Sequence, residues 1–169
     1  SPSSASKLSV GFYADSCPNA EMTVKNAVRE ASQLDPSLPA KLLRLLFHDC
    51  FVEGCDASVL IQGNETEMTD PFNESLGGFS IIDSIKRLLE VFCPGIVSCA
   101  DIIALAARDS VEITGGPSVR IPTGRKDGRI SSASNVKPNV VSANFTSNQT
   151  ADVFFAKGLS VDDLVTLSG

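Results

Sequence analysis

The chain has 169 residues, 43% of them apolar and 20% charged, with a formal net charge of −6. That balance suits one globular domain or part of a larger one, and excludes wholesale disorder. No apolar run approaches the roughly 18 residues of a membrane span, and the 14 basic residues are scattered, so nucleic-acid phosphates would find no basic face.

The first dozen residues are Ser-rich and read as a loose arm. A helix opens after Cys17, with Pro18 near its first position and Val24, Ala27, Val28, Ala31 and Leu34 as its apolar stripe. Asp35 can cap a second helix from Pro36 towards Cys50. Gly54 to Gly78 reads as a long surface loop. A third helix spans about Ser80 to Phe92, with Ile81, Ile82, Ile85, Leu88, Leu89 and Phe92 facing the core, and Cys93-Pro94-Gly95 stops it.

Ser98 and Asp101 approximate a capping box for a fourth helix through about Ile113. That helix is apolar almost all round, which marks it as central and buried. Gly115-Gly116-Pro117 breaks it, and short extended pieces follow around Val119 to Pro122 before a turn at Asp127-Gly128. A Ser/Asn-rich loop leads to a helix near Gln149 to Lys157, and Ser160 with Asp163 opens a last one at Val161. The class is mostly α, with a few short extended segments.

Five cysteines (Cys17, Cys50, Cys55, Cys93, Cys99) form no CxxC pair and meet only one histidine, which argues against structural zinc. With the N-x-S/T sequons at Asn64, Asn73, Asn144 and Asn148 they favour the secretory pathway. The odd number leaves one thiol without a partner inside the chain. Neither an initiating Met nor a signal peptide is present, as in a mature or trimmed protein.

On the second helix Arg44, Phe47, His48 and Phe51 share one stripe, at i, i+3, i+4 and i+7. Leu42, Leu45 and Leu46 lie opposite. A helix apolar on both faces is buried on both, so Arg44 and His48 would face a ligand, a partner or an internal cavity. A core histidine bonded to a backbone carbonyl, with Arg44 in a nearby ion pair, explains the same spacing at least as well. Beyond His48, the side chains of Asp49, Asp56 and Ser58 and the carbonyls of Val52 and Gly54 offer oxygens that calcium would accept. An ordinary surface loop accounts for them too.

The segment RLLFHDCFVEGCDASVL, with FYADSCPNAE, FCPGIVSCADIIALAARDSV, GRKDG and KGLSVDDLVTLSG, resembles the class III (secreted plant) haem peroxidases. The matches run in order from about residue 10 to residue 169 and imply the distal half of the plant-type haem peroxidase fold. The resemblance implies Arg44 and His48 as the distal catalytic pair, Phe47 shaping the haem b pocket, and Asn73 orienting His48. It implies Asp49, Val52, Gly54, Asp56 and Ser58 as calcium ligands, with Glu67 linking that site to the pocket. It also pairs Cys17 with Cys93 and Cys50 with Cys55, and Asp101 with Arg125 in a buried salt bridge. Hydrogen peroxide and small phenolic donors would be the substrates, and the cell wall, apoplast or vacuole the destination.

Three features depart from the pattern. Gly77 stands for the usual arginine and Met68 for a common lysine, and no proline-bearing donor channel is recognisable around Val141 to Phe145. The proximal histidine expected soon after LVTLSG, the second calcium site and a partner for Cys99 are all missing from these residues. The expectation is therefore a peroxidase distal half that works with a C-terminal half. The alternative is a non-catalytic remnant that binds calcium or a partner.

Overall fold

A computed structural model of the chain describes residues 7–52, 54–57, 60 and 77–129. The expected helices near Gln149 and Val161, the four sequons, and Ser58, Glu67 and Asn73 lie outside the described residues. Four helices form the described core: α1 (Ala20–Leu34), α2 (Leu38–Val52), α3 (Phe79–Phe92) and α4 (Cys99–Ile113). α4 packs against each of the other three, and its residues Ala100 to Ala107 are all buried.

A tight turn delivers the chain into α1, with the Cys17 N–H donating to the Tyr13 carbonyl at 2.9 Å and the Ala20 N–H to the Cys17 carbonyl at 3.0 Å. Ala20, Val24, Val28 and Ser32 are the residues α1 buries. Leu34, expected in the stripe, is instead exposed. Steps of four drift round a helix of 3.6 residues per turn, so Ser32 meets the core at the last turn and Leu34 points away.

Asp35 builds a turn rather than the first residue of α2. Its carboxylate accepts from the Ser37 N–H at 3.0 Å and from Lys41 Nζ at 3.2 Å, and its carbonyl accepts from the Leu38 N–H at 3.0 Å. α2 therefore opens at Leu38, two residues later than the proline suggested. The Ser37 hydroxyl first, then Lys41, hold the Asp35 carboxyl below its ordinary range.

Gly78 caps the start of α3, and its φ of 85° is left-handed. A Cβ there would also stand 2.9 Å from Leu42 Cδ2, so α2 and α3 approach through a glycine. Only Ile82, Ile85 and Leu89 are buried on α3, and Ile81 is partly so. Leu88 and Phe92, both expected in the core, are exposed. The buried positions form one narrow line, and the flanking residues of a helix packed on one side turn outward.

The end of α3 is tied to the turn before α1 by the Cys17–Cys93 disulfide, with Cα atoms 5.8 Å apart. α4 begins as the sequence suggests: Ser98 Oγ accepts the Asp101 N–H at 3.1 Å. The other half of a capping box is absent, because the Asp101 carboxylate turns inward to other partners. The expected extended pieces reduce, among the described residues, to one antiparallel bridge between Ser9 and Thr123. No helix among them is long and apolar enough to cross a membrane.

Candidate functional site

α2 places Leu42 and Leu45 in the core, wholly buried, and turns Arg44, Phe47 and His48 to its other side. His48 is only 5% exposed. Its ring stands edge-on to Phe47, with centroids 5.9 Å apart and planes at 63°. Phe47 is half-buried and Arg44 is exposed. The expectation that both faces are buried thus holds for His48 and fails for Arg44. A bare guanidinium costs too much to bury, and its long side chain reaches solvent one turn before the histidine.

The last turn of α2 runs into a closed loop. The Cys50–Cys55 disulfide spans it, and the Cys55 N–H donates to the Asp49 carbonyl at 3.4 Å. Gly54, Cys55 and Ala57 all hold positive φ, at 93°, 61° and 61°. Left-handed backbone at three positions in four folds the chain sharply back on α2. Asp49 is wholly buried, and its Oδ2 accepts the Ala57 N–H at 3.0 Å. Asp56 is half-buried beside it in the chain. The structure thus places Asp49, Gly54 and Asp56 of the five expected calcium ligands on one closed loop, with the backbone of Val52 at the end of α2. Ser58 and Glu67 lie outside the described residues, as does Asn73. Among the described residues no three His, Cys, Asp or Glu side chains gather closely enough to hold a metal by themselves.

A second cluster sits at the N-terminus of α4. Asp101, wholly buried, accepts the Tyr13 hydroxyl. It also accepts the Gly124 N–H at 2.8 Å and both the N–H and the guanidinium of Arg125, each at 3.1 Å. Asp127 reaches the same helix end, accepting the N–H groups of Cys99 at 3.0 Å and Ala100 at 2.8 Å. A carboxylate at that position satisfies orphan donors and complements the helix dipole. Burial, then the bond to Asp101, push the Tyr13 phenol up to about 12. Burial, then the Asp127 charge, push the Cys99 thiol up to about 11. Among the described residues Cys99 is the one free cysteine.

The Asp101–Arg125 pair agrees with the resemblance. The contributions of Tyr13 and Asp127 are not marked in the sequence. Each acts on a residue far away in sequence, and no periodic pattern marks such contacts.

Comparison with known proteins bears on the whole chain. The family model described as peroxidase matches residues 24–169. Over 167 residues the chain is 63% identical to Peroxidase 18 of Arabidopsis thaliana, covering 99% of this chain and 51% of that protein. It is 62% identical to Peroxidase 46 of the same plant, over 98% of this chain and 51% of that one. Against Peroxidase 5 of Vitis vinifera identity is 52%, over 96% and 51%. The chain spans about half the length of the curated relatives it matches.

Proposed function

The chain belongs to the peroxidase family, and from that premise we propose that α2 carries the peroxide-activating side of a secreted haem peroxidase. The carrying observation is the grouping on one side of α2. A buried histidine stands edge-on to a half-buried phenylalanine, with an exposed arginine one turn earlier. An aromatic wall, an acid/base and a cation fit one face of a flat apolar cofactor, so Arg44, Phe47 and His48 would line haem b. Bound haem would supply the iron at which hydrogen peroxide is reduced and from which phenolic donors are oxidised one electron at a time.

The residues of this chain supply proton handling and charge. An imidazole nitrogen of His48 would accept the proton of the inner peroxide oxygen and return it to the outer one, which leaves as water. Arg44 would offset the negative charge that develops as the O–O bond lengthens. Asn73, accepting the other ring N–H, would fix the tautomer that keeps the acting nitrogen basic. His48 is the single histidine of these residues, so any further histidine that holds haem would come from outside them.

The loop after α2 fits calcium by its donor set. A wholly buried Asp49 carboxylate, the Asp56 carboxylate and backbone carbonyls on a sharply folded, disulfide-closed loop are hard oxygen donors held at short range. Asp49, Val52, Gly54, Asp56 and Ser58 would be the ligands, with Glu67 linking them towards the pocket. The ion would brace the last turn of α2, and with it His48.

A haemin titration followed by its Soret band, then peroxide-dependent oxidation of a simple phenol, tests this reading. Saturable binding with turnover supports it. Saturable binding without turnover, in the chain extended to the full length of its relatives, would instead favour a non-catalytic protein that binds calcium or a partner.

A further inference from the structure

Residues 123–128 form a strap with four separate attachments. Thr123 exchanges both backbone hydrogen bonds with Ser9, each at 3.0 Å. Gly124 and Arg125 donate to Asp101, and Asp127 grips the first N–H groups of α4. The fourth attachment falls on the acidic loop: the Gly128 N–H donates to the Asp56 carbonyl at 2.6 Å.

Gly128 does more than donate that bond. A Cβ placed on it would overlap Asp56 Oδ2 and stand 2.6 Å from Asp56 Cγ and 3.3 Å from Oδ1. The Asp56 carboxylate occupies the volume that any side chain at 128 would need. The glycine is not required by backbone conformation, since Gly128 is absent from the positive-φ residues that include Gly124 and Gly54. Its lack of a Cβ is therefore a steric accommodation of the Asp56 carboxylate, whose atoms stand nearest.

Asp56 lies one residue beyond the Cys50–Cys55 ring, directly against the strap. The strap cannot yield easily, because Asp127, the neighbour of Gly128, is bonded twice to the start of α4. A side chain at 128 would then move the Asp56 carboxylate rather than the strap.

We propose that Gly128 is a positioning residue for the cation loop. Its N–H holds the Asp56 carbonyl and its missing Cβ leaves room for the Asp56 carboxylate, so that the affinity of the loop for a divalent cation is set from the strap. This rests on the calcium reading of that loop. Cation binding and the anchoring of Gly128 are then linked, and each strengthens the other.

Calorimetric titration of the full chain with calcium alone, for the parent and for Gly128→Ala, provides the first test. The expected result is at least a tenfold loss of affinity in the variant. Equal affinity in parent and variant overturns the positioning role and leaves the calcium reading standing. A parent that binds no calcium overturns both. Amide hydrogen exchange of the parent over residues 124–129, in calcium and in chelator, serves if the variant does not fold. The Gly128 amide should exchange at least tenfold more slowly with calcium, while unchanged exchange in a parent that binds calcium would sink the proposal.

Discussion

Asp101 and Arg125 are joined twice, once through the Arg125 backbone N–H and once through its guanidinium, both at 3.1 Å from the carboxylate. The carboxylate is wholly buried on α4, and the same group receives Tyr13 and Gly124. One side chain thus fastens the N-terminal turn, the strap and the central helix. Replacing it by alanine would leave a partly buried guanidinium and several inward donors unpaired. Asp101→Ala should lower stability by about 3–5 kcal/mol, read as a fall in the urea midpoint at unchanged slope. A loss below about 1 kcal/mol would mean that water replaces the carboxylate at little cost.

The Tyr13 phenol makes the same cluster pH-sensitive. Its pKa in the fold is raised to about 12 from an ordinary 10.0, by burial and then by Asp101. The unfolded chain therefore releases this proton first. The contribution is fully present below pH ~10 and is lost as pH rises through ~12, a loss of about 3 kcal/mol in all. Alkaline denaturation followed by far-ultraviolet dichroism should show this loss in the parent. Tyr13→Phe should be less stable than the parent at neutral pH, by about 1–2 kcal/mol, yet flatter between pH 10 and 12.

The Cys17–Cys93 bridge closes a loop with a sequence separation of 76. Chain entropy assigns such a closure about 4 kcal/mol. A double serine variant should lose that much in a denaturant titration. It should also expose the interface of α1 and α3, because the bridge ties the approach to α1 to the end of α3.

Much of this arrangement is legible in the residues. Ser98 and the Gly115-Gly116-Pro117 break delimit α4 to the residue, because a cap and a breaker are local signals. Burial is read less well at helix ends. Leu34, Leu88 and Phe92 fit a helical stripe but face outward, since apolar residues need not be buried and the packed line on each helix is narrow. The pairing of Cys17 with Cys93 and of Cys50 with Cys55, implied by resemblance, is the pairing in the fold. Arg44 and His48 fall on one side of α2, as their spacing requires, but spacing does not reveal that one is exposed and the other buried. Nothing local announces that Asp127 grips α4 or that Gly128 yields room to Asp56. Both are contacts made only once the chain has folded back.

Cys99 offers a chemical probe of that strap. It is the first residue of α4, where a helix dipole would ordinarily favour the thiolate. Burial and the adjacent Asp127 charge win, and the thiol is pushed up to about 11. Alkylation by iodoacetamide should accelerate roughly tenfold per pH unit from pH 8 to about 10. Asp127→Asn should shift that profile to lower pH. A rate already level by pH 9 would contradict the assigned environment.

The most direct test of the central claim, that Arg44 and His48 are the peroxide-activating pair, is the rate of the peroxide-consuming step. It is measured by stopped flow on the haem-loaded protein at the full length of its relatives. His48→Ala should slow that step by about 10²–10⁴-fold, the usual reach of a positioned acid/base, while the Soret band shows haem still bound. Arg44→Leu should slow it by about 10²–10³-fold, as for loss of one charge-stabilising donor. Rates within threefold of the parent in both variants, with haem retained, would contradict the assignment and move the proton chemistry to another part of the protein.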